Sequence, residues 1–159
     1  MIRIGIGYDV HKLKHGETLY IGGIKIPSDF GSEGHSDGDA LCHAIVDALL
    51  GAASLGDIGN FFPSTNESLR NEKSSLFLID SLRRIKDAGY EINNIDSTIV
   101  IQEPKLENHI LKIRKNVSLI LKTDLEKISV KATTTDRLGV VGKGKGWAVM
   151  TIASIIKKE

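Results

Sequence analysis

The stretch WAVMTIASII, residues 147–156, predicts the fold, because its side chains alternate between the two faces of a strand and both faces are apolar. One face carries Val149, Thr151, Ala153 and Ile155, and the other carries Ala148, Met150, Ile152, Ser154 and Ile156. An apolar sheet face left in water favours association. We therefore expect helices to cover one face and a neighbouring subunit to cover the other, which predicts a homo-oligomer.

The rest of the chain alternates strands with single helices. The sequence predicts strands at residues 2–10, 95–102, 128–135 and 147–156, a hairpin-like pair at 18–21 and 24–26, a loop at 28–36, and helices at 39–54, 75–88 and 107–121. This order is typical of an α+β protein, a two-layer sandwich in which helices cover one face of a mixed four-stranded sheet. At 159 residues, the length predicts one domain spanning residues 1–159.

The composition excludes several classes of function. Hydrophobic residues make up 41% and charged residues 26% of the chain, which is typical of a globular protein. The net charge is +1, so the chain lacks the excess of basic residues that would predict nucleic-acid binding. The apolar runs are too short to predict a membrane span. One cysteine, Cys42, allows neither an intrachain disulfide nor a cysteine-based zinc knuckle. The first residues do not resemble a secretory signal, and we expect a cytoplasmic protein.

A candidate metal site is distributed over the first strand and the first helix. Asp9 and His11 are two residues apart in the strand, so their side chains point the same way. Asp39, His43 and Asp47 follow a four-residue spacing along a helix that is apolar nearly all round, where polar groups need partners. Two imidazoles and one carboxylate are typical of catalytic zinc with an open fourth position. A hydrogen-bonded structural histidine is the alternative, and Asp47 suits a supporting partner of an imidazole as well as a ligand.

Two further segments could bind phosphate. Ser36 and Asp37 precede the first helix, where they could cap it or lie beside a bound anion. Residues 133–135 are threonines followed by Asp136, a pattern that is common in strands but also suits phosphate and a magnesium ion. No nucleophilic Ser/His/Asp arrangement is evident. These features favour a reaction whose nucleophile is part of the substrate.

Several motifs at compatible spacings resemble one known family. They are GIGYDVH at residues 5–11, HSDGDALCH at 35–43, LGDIG at 55–59, PK at 104–105 and KATTT at 131–135. Together they are similar to the 2-C-methyl-D-erythritol 2,4-cyclodiphosphate synthases of the non-mevalonate isoprenoid pathway. The resemblance implies a homotrimer packed through its sheets, with active sites at the subunit interfaces. It also implies conversion of a cytidine diphosphate substrate, 4-diphosphocytidyl-2-C-methyl-D-erythritol 2-phosphate, into the cyclic diphosphate and CMP.

The resemblance also implies a role for individual residues. Asp9, His11 and His43 would bind one zinc ion per subunit, and Asp136 would hold Mg²⁺ or Mn²⁺ with the substrate diphosphate. His35 and Thr134 would stabilise the transition state. The substrate-binding positions would be Ser36, Asp57, Ile58, Gly59, Phe62, Pro63, Ser64, Thr65, Asn66, Gln102, Glu103, Pro104, Lys105, Leu106, Glu107, Thr133, Thr135, Val140 and Lys143.

The chain departs from the family pattern at five of these positions. Asp136 replaces the usual Glu, Ser64 and Asn66 replace two carboxylates, and Val140 and Lys143 replace an aromatic residue and an Arg. We interpret the departures as variation within an active enzyme. Two alternatives stay open: a non-catalytic zinc or nucleotide-binding protein, and a metal-assisted phosphohydrolase, which would release inorganic phosphate.

Overall fold

The computed structural model describes residues 1–69 and 72–158. Its strands are Ile2–His15 (β1), Leu19–Ile21 (β2), Ile24–Ile26 (β3), Phe30–Glu33 (β4), Tyr90–Val100 (β5), Ile128–Thr133 (β6) and Gly146–Lys157 (β7). Its α-helices are Ala40–Ala52 (α1), Ile58–Phe61 (α2), Ser74–Asp87 (α3), Ile110–Ile120 (α4) and Gly139–Gly142 (α5). Short 3₁₀ turns lie at Glu67–Leu69 and Leu125–Lys127.

Five of these strands form one mixed sheet in the order β4-β1-β7-β5-β6. β1 and β5 both pair antiparallel with β7, whereas β5 and β6 are parallel. The α+β class and the mixed sheet are therefore confirmed. The predicted count of four strands is wrong, because within the described residues the sheet has β4 as an additional edge strand.

β4 lies in the segment that the sequence predicts as a loop. β1 continues to His15, beyond its predicted end at residue 10, and its extension offers backbone groups that pair with β4, Lys12 opposite Glu33. The indole N–H of Trp147 donates to Ser32 Oγ at 2.8 Å and anchors the edge strand to β7. The residues of β4 have no apolar alternation, so only this pairing reveals the strand.

The two faces of β7 have different environments. Val149, Thr151, Ala153 and Ile155 are fully buried beneath the helices. Met150 and Ile152 are 46% and 47% exposed on the opposite face. β1 continues this exposed surface, since Ile4 and Ile6 are 70% and 63% exposed. The prediction that helices cover only one face is confirmed, and the other face is apolar and open in a single chain.

Helix α1 packs directly against β1 and is buried nearly all round, as the sequence predicts. Glycines make this close approach possible. A Cβ atom on Gly5 would lie 2.1 Å from the carbonyl oxygen of Ala48, and one on Gly7 would lie 1.9 Å from that of Ala44. The small residues of β1 therefore set the distance between the sheet and the helix that carries His43.

The residue that caps α1 is Asp39, which corrects the expectation that Ser36 or Asp37 would do so. The buried Asp39 carboxylate accepts from Cys42 N at 3.1 Å and also from Gly22 N and Gly23 N, at 3.0 and 2.7 Å. Burial raises the pKa of Asp39. These bonds connect the β2–β3 turn to the start of α1 and satisfy the buried carboxylate away from the metal site. Across the described chain, no helix combines the length and apolar character needed to cross a membrane.

Candidate active site

The strand-borne pair and the helix-borne histidine meet at one point. Asp9 Oδ2 lies 2.9 Å from His11 Nε2 and 3.0 Å from His43 Nδ1, and the two nitrogens are 3.2 Å apart. These three ligand atoms form the candidate metal site found in the described residues. β1 projects Asp9 and His11 to the same side, and α1 brings His43 against them because the sheet and helix pack so closely.

This donor set fits a tetrahedral metal ion. Ligands about 2.0–2.1 Å from a tetrahedral zinc ion lie roughly 3.3 Å from one another, close to the separations observed. Two imidazole nitrogens and one carboxylate oxygen suit zinc and leave one coordination position for substrate or water. The outer nitrogen of His11, Nδ1, lies 3.4 Å from the carbonyl oxygen of Glu33, an acceptor of the kind that supports metal-binding histidines.

The electrostatics of the site favour an ionised carboxylate. Burial by itself would raise the pKa of Asp9, but hydrogen bonds and charge interactions with His11 and His43 outweigh it and lower the pKa to about 2. Burial would lower the pKa of His11, yet its contact with Asp9 raises that pKa overall. The site therefore presents a negative charge that attracts a cation at neutral pH.

A cavity of about 320 Å³ opens beside these ligands. The described residues that line it include nine of the predicted site positions, His11, His35, Ser36, His43, Ile58, Gly59, Phe62, Pro63 and Ser64. His35 Nε2 is buried and has no hydrogen-bond partner among the described residues. Thr65 and Asn66 do not line this cavity, and the Asn66 side chain accepts from Ser68 N instead.

Asp47 supports the cavity wall. Its Oδ1 atom accepts from the backbone N–H of Ile58 at 2.7 Å, while Asp57 caps α2 by accepting from Asn60 N. Burial raises the pKa of Asp47. The sequence predicts Asp47 as a partner of an imidazole; in the described structure its hydrogen bond goes to the segment that holds Ile58 and Gly59.

The remaining predicted positions form a second group. Gln102, Glu103 and Lys143 line another cavity, of about 450 Å³, and Gln102 Oε1 accepts from Arg137 N. The other members of this group are Thr133, Thr134, Thr135, Asp136 and Val140, with Pro104, Lys105, Leu106 and Glu107 after β5. The Thr134 hydroxyl accepts from Asp136 N at 3.2 Å. The Leu106 side chain is 3% exposed and belongs to the core.

One chain does not bring the two groups together. They lie at the same end of the sheet, where Val10 and Val100 both pair with Ala148, and Val100 pairs with Thr133. Three inter-strand steps of about 4.8 Å therefore place β6 roughly 14 Å from β1. The metal ligands and the threonine group are separate half-sites within a chain.

Helix α3 contributes site residues that the sequence pattern does not reveal. Phe77 lines the metal-side cavity and stacks on Phe62, with ring centroids 4.4 Å apart. Ser74 Oγ lies 2.8 Å from His43 Nε2. In the sequence, α3 has an ordinary apolar stripe, so its polar first residue carries no signal of proximity to His43. Arg137 was likewise missed; it lines the second cavity beside Lys143.

Fold and site together define an α+β protein with a His/His/Asp metal site beside a cavity. The chain belongs to the YgbB family, which it matches over residues 2–156. A relative from Alkaliphilus oremlandii, named 2-C-methyl-D-erythritol 2,4-cyclodiphosphate synthase, is 51% identical over 98% of this chain and 99% of its own length. A relative of the same name from Carboxydothermus hydrogenoformans is 49% identical over 99% of this chain and 98% of its own length.

Solved structures agree with these relatives. IspF from Plasmodium falciparum, in complex with CDP, superposes with a TM-score of 0.88 at 39% identity, covering 99% of this chain and 97% of that one. The bifunctional IspDF protein of Campylobacter jejuni superposes with a TM-score of 0.97 at 36% identity. The match covers the whole of this chain and 43% of that larger protein. The resemblance stated from the sequence motifs is confirmed. It supports an enzyme, a lyase of isoprenoid biosynthesis, over a non-catalytic binding protein.

Proposed function

We propose that this chain converts 4-diphosphocytidyl-2-C-methyl-D-erythritol 2-phosphate into 2-C-methyl-D-erythritol 2,4-cyclodiphosphate and CMP. The observation that carries the proposal is the convergence of Asp9, His11 and His43 beside a cavity in a chain of this family. In the reaction, an oxygen of the substrate's 2-phosphate forms a bond to the β-phosphorus. The bond from that phosphorus to the bridging oxygen breaks, and the electron pair leaves with CMP.

The metal-side residues orient the reacting phosphates. Asp9, His11 and His43 hold one zinc ion per subunit, which when bound supplies a Lewis acid next to the phosphoryl group under attack. His35 offers a buried nitrogen that has no partner among the described side chains and backbone groups, and it is suited to a developing phosphate charge. Ser36 lies beside the substrate. Asp57, Ile58 and Gly59 hold the ribose and neighbouring groups, and the segment Phe62 to Asn66 lies along the erythritol phosphate. Ser64 and Asn66 bring no carboxylate, so backbone groups are the contacts that this segment would provide.

The second half-site binds the cytidine end. Gln102 to Glu107, Thr133 to Thr135, Val140 and Lys143 surround the cytosine and its phosphates in this proposal. Thr134 stabilises the transition state, and Asp136 holds Mg²⁺ or Mn²⁺ with the diphosphate. Two features support this assignment: the second cavity carries the cations Arg137 and Lys143, and a solved relative was obtained as a CDP complex.

Product analysis tests the proposed reaction. We expect the zinc-loaded protein, given this substrate and Mg²⁺, to release CMP and form the cyclic diphosphate in equal amounts. Phosphorus NMR distinguishes the cyclic product from inorganic phosphate. Release of inorganic phosphate would indicate a phosphohydrolase instead, and binding of CDP without turnover would indicate a non-catalytic protein.

We also propose that the chain is a homotrimer in which neighbouring subunits join the two half-sites. The exposed apolar sheet face and the separation of about 14 Å between β1, which carries Asp9 and His11, and β6, which ends at Thr133, support this arrangement, since a partner could bring the missing half against each metal site. The cytoplasmic location expected from the sequence stays a prediction.

Sedimentation tests the trimer with a matched pair of variants. We expect wild-type protein to sediment at three times the 17.3 kDa chain mass at micromolar concentration. Ile4→Asp places a charge on the open sheet face and should dissociate the trimer. Leu119→Asp is the control, because Leu119 is 74% exposed, as Ile4 is 70%, but lies on helix α4. A monomeric wild type, or equal behaviour of the two variants, would contradict the assembly.

A further inference from the structure

The outer nitrogen of His43 contacts a buried hydroxyl that the proposed reaction does not use. Ser74, the first residue of α3, is fully buried, and its Oγ atom lies 2.8 Å from His43 Nε2. Ser36 Oγ is a more distant neighbour of the same nitrogen, at 3.3 Å. The inner nitrogen, Nδ1, faces Asp9 and His11. The partner of Nε2 therefore affects which nitrogen carries the proton.

Asp37 determines the direction of this hydrogen bond. Its carboxylate receives both the hydroxyl and the backbone N–H of Ser74, the latter at 2.9 Å, and it accepts from Asp39 N at 3.2 Å. A carboxylate offers only acceptors, so the single hydroxyl proton of Ser74 is directed to Asp37. Ser74 Oγ can then only accept from His43, which places the imidazole proton on Nε2.

This proton placement prepares the metal site. With the proton on Nε2, the lone pair of His43 Nδ1 points at Asp9 Oδ2 and His11 Nε2. His11 has the matching arrangement, since its outer nitrogen faces the acceptor oxygen of Glu33. Lone pairs of three ligand atoms then converge on one point when a cation lies between them. Without a cation, a proton on His43 Nδ1 would hydrogen-bond the Asp9 carboxylate 3.0 Å away, so the contact of Nε2 with Ser74 opposes that competing tautomer.

We propose that Ser74 and Asp37 are positioning residues that hold His43 in the tautomer that binds metal through Nδ1. The proposal rests on the metal site of the proposed function. Hydrogen-bond partners of metal-binding histidines typically contribute about 10- to 100-fold to metal affinity. Neither residue touches the substrate in this assignment, so the first effect is on metal binding and on the histidine itself.

Zinc affinity, measured by chelator competition, tests the proposed role of Ser74 and Asp37. We expect Ser74→Ala to weaken zinc binding about 10- to 100-fold. Ser74→Thr keeps the hydroxyl and should restore most of the loss, and Ser75→Ala, a change at the next residue of the same helix turn, should match wild type. Asp37→Asn should also weaken binding, because an amide can donate to Ser74 and free its hydroxyl proton to turn towards His43. Circular dichroism confirms that each variant retains its fold.

A second measurement reads the tautomer directly. In metal-free protein, the ¹⁵N shifts of His43 at the high-pH limit should report a larger population with the proton on Nε2 in wild type than in Ser74→Ala, which loses the acceptor of that proton. Unchanged zinc affinity and unchanged ¹⁵N shifts in folded Ser74→Ala and Asp37→Asn would overturn the proposed role of Ser74 and Asp37. Failure of wild-type protein to bind zinc would instead overturn the metal site of the proposed function. The ¹⁵N shifts of metal-free protein would still show whether Ser74 and Asp37 control the His43 tautomer.

Discussion

His11→Ala is expected to lose zinc and to release CMP at least about 100-fold more slowly than wild type, which is the scale of removing one electrostatic group from a catalytic site. His11 supplies one of three ligand atoms, and its Nε2 lies 2.9 Å from the Asp9 carboxylate oxygen that completes the same site. Two remaining ligands form a much weaker site, and the loss of zinc affinity should exceed the 10- to 100-fold that a supporting hydrogen bond contributes. Zinc content after gel filtration and the initial rate of CMP release measure both effects.

The matched control is His15→Ala. His15 lies on the same strand, four residues further on, and its ring packs edge-to-face on Phe30 at 5.3 Å, outside the metal site. We expect this variant to keep wild-type zinc content and turnover. Wild-type CMP release by His11→Ala would contradict the proposed mechanism, whereas equal losses in both variants would point to damage to β1.

Gly7→Ala is expected to destabilise the fold by at least about 3 kcal/mol, the upper end of ordinary overpacking in a core. The added methyl carbon would lie 1.9 Å from the carbonyl oxygen of Ala44, an atom of helix backbone that cannot rotate away. α1 would have to move off β1, and His43 would move with it. Urea unfolding followed by circular dichroism, at a fixed protein concentration, measures the change.

Gly51→Ala is the control for this prediction. Gly51 lies near the end of α1, and a Cβ atom there would meet no atom of the described residues within 4 Å. Alanine lowers the entropy cost of the helix, so this variant should be stabilised by about 0.5–1 kcal/mol. A Gly7→Ala protein as stable as Gly51→Ala would show that the contact between β1 and α1 is not close-packed.

Local periodicity explains why much of the architecture was predictable. Period two in β7 separates a buried from an exposed face, and the same period places Asp9 and His11 side by side. The apolar surround of His43 in α1 indicates a buried position that needs polar partners. These inferences need only the geometry of a single strand or helix, and the family motifs then connect them into one site.

The features that the sequence did not predict, edge strand β4 and the partners of Asp39, depend on pairing between distant segments. β4 has no apolar alternation of its own and exists because the extended β1 offers it hydrogen-bond partners. Asp39 suits a metal ligand by its spacing from His43, yet its carboxylate is satisfied by the Gly22–Gly23 turn. No local pattern distinguishes these partners, because each contact joins residues that are brought together only when the chain packs.

The sequence alone thus determined the α+β class, the two-faced sheet, the three candidate metal ligands and the family, since all of them follow from residue type and short spacing. Only the tertiary structure decided the edge strand, the partners of Asp39 and Asp47, the contact of Ser74 with His43, and the separation of the two half-sites within a chain. The physical reason is distance along the chain. Contacts such as that between Ser74 and Asp37, 37 residues apart, depend on how whole elements pack and leave no periodic trace.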